Sequence, residues 1–176
     1  LDIVSASKNP YGTTTYIDWY ENDGAATWTP AFTAADINIS ANVARDLHIA
    51  DMDRDGDLDI VSASSGDNTI AWYENDGNSD PSWTAADIST TADGARNVFV
   101  ADIDSDGDLD IVSASHDDDT IAWYENDGNS DPSFTKNVIS TSADGARGVH
   151  IADIDSDGDL DVVSASRIDN KIAWYE

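Results

Sequence analysis

The chain repeats one order of apolar and polar segments along its length. A short apolar run such as NVFVAD leads into an aspartate-rich loop, followed by the run LDIVSAS, a polar turn, TIAWYE, the turn NDGNSDPS and a last run such as SFTKNVIS. Within these runs apolar residues alternate with polar ones and β-branched residues are frequent, while Gly, Asn, Asp and Pro separate the runs. The pattern predicts four short strands per unit, named A, B, C and D in order, and no helix.

The unit recurs at a fixed spacing. Copies of the aspartate loop start at Asp51, Asp102 and Asp153, which gives a period of 51 residues. A period of this size indicates one supersecondary unit stacked several times. Four antiparallel strands per unit predict an all-β fold, a β-propeller of four-stranded antiparallel blades that cover one another's faces. We expect one domain over residues 1–176, with blade repeats at about residues 1–45, 46–96, 97–147 and 148–176.

The register of the repeat predicts incomplete blades at both ends. Leu1 and Asp2 match Leu58 and Asp59, so the first unit supplies strands B, C and D, and the last unit supplies A, B and C up to Glu176. We therefore expect an arc of blades with strands BCD, ABCD, ABCD and ABC. Natural proteins cover exposed sheet edges and apolar faces. This predicts that the arc is completed by the rest of a longer chain or by other copies in an assembly.

Composition narrows the classes of partner. The formal charge is −28, from 36 acidic against 8 Lys and Arg residues. Nucleic acids and anionic membranes bind basic surfaces, so neither is expected as a partner. No apolar stretch is long enough for membrane insertion. The absence of cysteine excludes a disulfide framework and thiolate chemistry. An acidic chain of this kind is expected to bind cations.

The aspartate loop DxDxDGDxD predicts the cation. Asp at positions 1, 3, 5 and 9 with Gly at position 6 matches the first part of a calcium-binding loop, in which alternate oxygen ligands converge on one ion. Carboxylate-rich, all-oxygen sites select hard cations, and a flexible loop suits Ca²⁺ better than Mg²⁺. Position 12 is serine rather than the bidentate Glu of an EF-hand, and no helix follows. A helix–loop–helix sensor is therefore not expected.

We predict about three Ca²⁺ ions, one per complete loop, each held by the side chains at positions 1, 3, 5 and 9 and the backbone carbonyl at position 7. The predicted ligand residues are Asp51, Asp53, Asp55, Asp57, Asp59, Asp102, Asp104, Asp106, Asp108, Asp110, Asp153, Asp155, Asp157, Asp159 and Asp161. Isolated Asp and Gly clusters are usually solvated turns. Three copies in the same register favour metal binding over that alternative.

Repeated aromatic residues mark strand C. Trp19, Trp72, Trp123 and Trp174 occupy one position of the repeat. They could stack on sugars, but an aromatic at the same position in every blade is typical of the packing that fills the space between tilted sheets. We predict packing. Trp28 stands in a longer turn and is expected to be the most exposed.

Two further sets of residues recur near strand A. Arg45, Arg96 and Arg147 stand just before it, and we expect them to pair with acids, bridging neighbouring blades. His48 and His150 share a position on strand A itself. Because Phe99 occupies the same position in the copy between them, we expect a core or channel-lining role rather than catalysis.

The order of strand A, DxDxDGDxD loop and an apolar strand B resembles the FG-GAP or VCBS repeat family, the unit of the integrin α-subunit propeller and of many secreted bacterial proteins. The resemblance covers the whole chain, although strand B ends in Ser-Ala-Ser where the family name refers to Gly-Ala-Pro. It implies a seven-bladed ring with calcium in the A–B loops on one face. It also implies a bacterial-type protein that is secreted, extracellular or at the cell surface.

The sequence indicates a scaffold and not an enzyme. A catalytic group should occur once at a distinctive place, whereas nearly every acid here is duplicated in register. We expect a non-enzymatic, calcium-binding module with a structural, adhesion or assembly role and a protein or glycan partner at the cell surface. A lectin-like carbohydrate-binding propeller and the accessory propeller of a polysaccharide-degrading enzyme are the alternatives.

Overall fold

A computed structural model of the chain describes residues 1–8, 15–22, 24, 32–38 and 41–176. The described residues form fourteen strands in four antiparallel sheets. The first sheet contains β1 (Ile3–Lys8), β2 (Thr15–Asn22) and β3 (Phe32–Asn38). The second contains β4 (Ala44–Ala50), β5 (Asp59–Ser64), β6 (Thr69–Asn75) and β7 (Trp83–Ser89). The third contains β8 (Ala95–Ala101), β9 (Asp110–Ser115), β10 (Thr120–Asn126) and β11 (Phe134–Ser140). The fourth contains β12 (Ala146–Ala152), β13 (Asp161–Ser166) and β14 (Lys171–Tyr175).

Within each sheet the strands follow one another in chain order. The predicted all-β arc with strands BCD, ABCD, ABCD and ABC is therefore confirmed. Closure of the arc into a seven-bladed ring stays a prediction. In the part of the chain that the structure describes, we find no apolar helix of the length needed to cross a bilayer.

The core lies between successive sheets. Val61 and Trp72 of the second sheet pack against Val98 and Tyr124 of the third, and similar clusters join the first sheet to the second and the third to the fourth. Every residue of β5 and β9 is buried. β5 and β9 are inner strands of their sheets and are covered on both faces, which explains the continuous LDIVSAS run. Ser and Ala in this run let the neighbouring sheets approach closely.

The strand C tryptophans differ with their position in the arc. Trp72 is 4% exposed within a core cluster, and the partly buried Trp123 packs against the next one, so the predicted packing role is confirmed for both. Trp174, on the last sheet, is 49% exposed. Trp19 lines a groove between the first and second sheets, and Trp28 lies outside the described residues.

Strand A begins two residues earlier than its apolar pattern indicates, because it contains a β-bulge. Ala95 and Asn97 pair with consecutive residues of β9, which leaves Arg96 as the extra residue. Arg45 and Arg147 occupy the corresponding position in β4 and β12. A bulge interrupts the alternation of side chains. The period-two pattern therefore placed the start of the strand at Asn97, two residues after its observed start at Ala95.

The expectation that these arginines pair with acids is wrong for the described residues. Nε of Arg45 donates to the Ser65 hydroxyl at 2.9 Å, and Nε of Arg96 is buried without a partner. The ion pairs of the described chain include none of the three arginines. Each arginine is the second residue of strand A, whereas the aspartate loop follows the last residue of that strand.

The histidines of strand A form a stack with the phenylalanine between them. The rings of His48 and Phe99 lie 5.0 Å apart and those of Phe99 and His150 4.8 Å apart, both edge to face. The stack runs across three successive sheets at their A strands. This agrees with the packing and lining role expected from the sequence.

Candidate metal centre

Three aspartate loops connect strand A to strand B in the second, third and fourth sheets. In each loop the Gly at position 6 has a positive φ, +100° at Gly56 and +97° at Gly107, a conformation that residues with a Cβ rarely adopt. The residue at position 4, such as Ser105, also has a positive φ. These two positions fold the loop back on itself within eight residues. Alternate side chains are thereby directed towards a common point.

Backbone hydrogen bonds hold the aspartates of the first loop in place. Oδ1 of Asp53 accepts from the N–H of Asp55 at 3.1 Å, and Oδ1 of Asp55 accepts from the N–H of Asp57 at 2.9 Å. Oδ2 of Asp51 accepts from the N–H of Gly56 at 3.1 Å. The other two loops repeat these bonds at 2.8 to 3.3 Å. Oδ1 of Asp153 accepts a further bond from the N–H of Ser156 at 2.7 Å. Each of the other carboxylates in this set has one oxygen bonded to the backbone and a second oxygen available to an ion.

The aspartate at position 9 is the first residue of strand B and is almost fully buried. Asp59 is 1% exposed, and its two oxygens accept from the N–H groups of Met52 at 3.0 Å and Asn75 at 2.9 Å. Burial raises the pKa of Asp59 and that of Asp110 to about 6, although the backbone hydrogen bonds lower it. A buried carboxylate of this kind favours a nearby cation, which stabilises its charged form.

The structure brings acidic side chains together in all three loops. In each loop the carboxylates at positions 1 and 3 lie close to that of one further aspartate. The ligand oxygens of each group lie within 4.8 Å of one another. The groups are Asp51, Asp53 and Asp59; Asp102, Asp104 and Asp106; Asp153, Asp155 and Asp161. Asp55 and Asp110 are outside these groups, and Asp157 groups with Asp155 and Glu176. The full ligand sets stay predictions.

Buried oxygens without partners test whether a cation fits. Oδ1 of Asp51 and Oδ1 of Asp102, at position 1 of the first and second loops, are buried and have no hydrogen-bond partner. An unpaired buried carboxylate oxygen beside further carboxylates is costly. A hard divalent cation coordinated by these oxygens removes that cost. The donor set, which is all oxygen and mostly carboxylate, fits Ca²⁺.

Sequence reasoning missed the glutamates at the end of strand C. Glu176 forms a group with Asp155 and Asp157 of the third loop. In the second loop the pKa of Asp104 is raised by burial, then by the charge of Asp106 and, more weakly, by that of Glu125. The signal was available, because the motif WYE recurs at every strand C. The motif shows its role only when the order of strands in the sheet is known. Strand C adjoins strand B, so the end of strand C lies beside the loop.

Arg54 is a further residue whose role the sequence pattern did not predict. It occupies position 4 of the first loop, where the other loops have serine. Its guanidinium forms an ion pair with Asp108 of the second loop and donates to the carbonyl of Gly128 at 3.2 Å. The bridge between blades that was expected of the strand A arginines is therefore made by Arg54. Asp108 stands at position 7, where the backbone carbonyl is the predicted ligand.

Antiparallel sheets that repeat at a fixed period, pack face to face and share an acidic loop between their first two strands define a β-propeller-like repeat protein. An FG-GAP-like repeat matches residues 1–62, 51–113 and 102–164, and the chain belongs to this family. Each of the last two matched segments begins at the first aspartate of a loop and ends in strand B of the next blade. No curated protein matches the chain.

Proposed function

We propose that the chain is a calcium-binding, non-enzymatic propeller module of a secreted or cell-surface protein. One observation carries the proposal: three loops in one register bring carboxylate oxygens within 4.8 Å of one another, and buried oxygens of Asp51 and Asp102 are left without a partner. Calcium is the cation that such a flexible, carboxylate-rich loop suits best.

The ions act as structural cross-links in this proposal. Each loop joins strands A and B, and its position 9 aspartate is anchored to the end of strand C, as Asp110 is to Asn126 at 2.8 Å. An ion bound to the loop therefore ties three strands of a blade together. Without it, five aspartates within nine residues repel one another. Ligands that bind only the native state stabilise it by mass action.

The wider role follows from the repetition. A scaffold of similar blades presents a large rigid surface, which suits structural, adhesive or assembly functions and a protein or glycan partner at the cell surface. The millimolar calcium outside cells matches the affinity of extracellular modules, about 10⁻⁴ to 10⁻³ M.

Native mass spectrometry with calcium titration tests the proposal. We expect three ions on the intact chain, one per loop, with Mg²⁺ binding more weakly. The matched control is the triple variant Asp80→Asn, Asp131→Asn and Asp117→Asn, which removes three acids from turns outside the loops and should still bind three ions. Equal ion counts in calcium and magnesium, or a count that follows total charge, would refute a dedicated calcium site.

A further inference from the structure

Arg54 extends from the first aspartate loop towards the second loop, which lies in the next blade. Its guanidinium forms an ion pair with the carboxylate of Asp108. Nη2 donates to the Gly128 carbonyl at 3.2 Å, and Nη1 lies 3.5 Å from the Gly107 carbonyl oxygen. All three acceptors belong to the loop and the turn of the third sheet. A cation supplied by one blade is therefore held among oxygen atoms of the next blade.

The carboxylate that receives Arg54 has little other compensation for its charge. The side chain of Asp108 is 13% exposed, and its Oδ1 is buried and accepts no hydrogen bond among the described residues. A Cβ at position 128 would overlap Oδ2 of the same carboxylate, so the glycine there allows the turn to lie against it. A buried carboxylate without a partner is costly. The guanidinium is the group that offsets this cost.

Asp108 stands between two predicted calcium ligands of the second loop. The side chains of Asp106 and Asp110, at positions 5 and 9, are predicted to coordinate the ion, and Asp108 is predicted to contribute its backbone carbonyl. The N–H of Asp108 donates to Oδ1 of Asp106 at 2.8 Å. The Asp108 carboxylate is therefore free to pair with Arg54. The guanidinium is bound one residue away from the carbonyl-flanking ligands on either side.

Other contacts hold the first loop against the third sheet and so fix the origin of the Arg54 side chain. Met52 is 2% exposed and packs in the core between the second and third sheets. Its carbonyl accepts from Nδ2 of Asn126 at 3.2 Å, and the same amide group donates to the Leu109 carbonyl of the second loop at 3.0 Å. Because the two loops are already joined at this point, less entropy is lost when Arg54 reaches across.

The third loop offers a comparison within the same chain. The second and third loops have the identical sequence DIDSDGDLD. The residue that precedes the third loop at position 4 of the neighbouring loop is Ser105, whose φ of +61° matches the +63° of Arg54. Asp159, the equivalent of Asp108, is exposed and has no ion-pair partner in the described part of the chain. Two identical loops thus differ in whether the neighbouring loop supplies a cation.

We propose that Arg54 is a built-in counter-cation of the second loop, which stabilises that loop in the absence of calcium and lowers its affinity for calcium. In the metal-free chain the guanidinium reduces the repulsion among the five aspartates of the loop. The same positive charge opposes a second cation, because it repels that cation and already compensates one carboxylate. The part of the inference that concerns calcium affinity rests on the proposed function, whereas the part that concerns the metal-free loop does not.

Thermal melts of the intact chain in chelator test the metal-free part. At an ionic strength of about 0.01 M, where charges are weakly screened, Arg54→Ser should lower the melting temperature by up to about 4 °C. Arg167→Ser is the matched control, since it removes the same charge from the turn at the opposite end of strand B and should lower the melting temperature less. Equal losses for the two variants would overturn the proposal.

The Asp108→Asn background tests whether the ion pair carries this effect. Asn keeps the size of the side chain but removes the charge that Arg54 compensates. In this background Arg54→Ser should lose most of its effect on the melting temperature in chelator, because the pair is already absent. A loss as large as in the parent chain would show that Arg54 stabilises the protein by other contacts, and would overturn its role as a counter-cation.

Isothermal titration calorimetry at the same ionic strength tests the competition with calcium. Arg54→Ser should raise the calcium affinity of one site about threefold, since a unit charge several ångströms from a divalent ion in water contributes about this factor. Arg54→Lys keeps the charge and should leave the affinity near that of the parent, and Arg167→Ser should not reproduce the rise. An affinity that is unchanged or lower in Arg54→Ser would contradict the proposal.

Asp104→Asn removes a predicted ligand of the second loop and locates the effect. In this background Arg54→Ser should no longer raise calcium affinity threefold, and an undiminished rise would assign the action of Arg54 to its own loop and overturn the proposal. Ion counting on the parent chain separates this inference from the proposed function. If no calcium binds, the proposed function fails together with the affinity part, and the melts in chelator still decide whether Arg54 stabilises the second loop. Three ions bound with equal affinity by parent and Arg54→Ser leave the proposed function intact and refute the inference.

Discussion

Two acidic regions adjoin each other in every complete blade, and their aspartates have pKa values shifted in opposite directions. In the turn between strands C and D, Asp127 accepts hydrogen bonds from Ser133 and from the N–H of Asn129, and these bonds lower its pKa to about 2. In the neighbouring A–B loop, burial raises the pKa of Asp110 to about 6. The turn stabilises its negative charge with its own donors. The loop gathers charge that its own donors do not neutralise.

The difference shows which acids point to a metal ion. Acid content alone does not distinguish the regions, because the turn NDGNSDPS and the loop DSDGDLD are both rich in aspartate. The distinguishing feature is the buried oxygen of Asp102 that no donor reaches. In the turn, by contrast, both oxygens of Asp127 accept hydrogen bonds.

The sharpest test of this comparison is one substitution made in the loop and repeated outside it. Asp106→Asn removes a charge but keeps an oxygen for the N–H of Asp108. In calcium at about a hundred times the dissociation constant, loss of one ion should lower the free energy of unfolding by up to about 2.7 kcal/mol. In chelator the same variant should be equally stable or more stable than the parent, because repulsion within the loop falls.

The matched control is Asp131→Asn in the exposed part of the C–D turn. Thermal melts of both variants should show a calcium-dependent loss only for Asp106→Asn. Equal losses for the two variants, or a loss for Asp106→Asn that persists in chelator, would remove the distinction between the two regions.

A smaller effect is expected at the end of strand C. Glu125→Gln removes a charge that acts on Asp104, and a unit charge near a protein surface contributes about 1 kcal/mol at contact distance in water. Calcium affinity of the second loop should therefore fall about fivefold, and isothermal titration calorimetry measures it. An unchanged affinity would place Glu125 outside the ion's influence.

Arg54→Ser gives the first loop the position 4 residue of the other two. Since the Arg54 side chain is about half exposed, loss of its ion pair with Asp108 should cost at most about 1 kcal/mol. The melting temperatures of parent and variant should converge at high salt, which screens the pair. A larger loss that is independent of salt would show that Arg54 acts through packing.

The smallest effect concerns acid stability. Because hydrogen bonds depress the folded pKa of Asp127 to about 2, its contribution to stability is present above the unfolded value near 4 and is lost as pH falls towards 2. Asp127→Asn should therefore lower the melting temperature slightly at pH 7 and have no effect near pH 2. A pH-independent difference between variant and parent would contradict this assignment.

Much of this architecture can be predicted because one sequence unit is repeated along the chain. The strand order, the position of each loop and the packing of Trp72 follow from the period and from the local pattern. Other features depend on distances between elements that the pattern does not contain. Glu125 reaches the loop only because strands B and C pair. Arg54 reaches Asp108 of the next blade, and Arg96 is the extra residue of a bulge that interrupts the alternation.

Thermal unfolding of the intact chain in calcium and in chelator tests the central claim most directly. If the loops bind calcium, the melting temperature should rise with calcium concentration over the range of about 10⁻⁴ to 10⁻² M. It should fall on chelation and recover when calcium is added back. Added sodium at matched ionic strength should not reproduce the rise. Superimposable melting curves in calcium and in chelator would contradict the claim that these loops are calcium sites on which the fold depends.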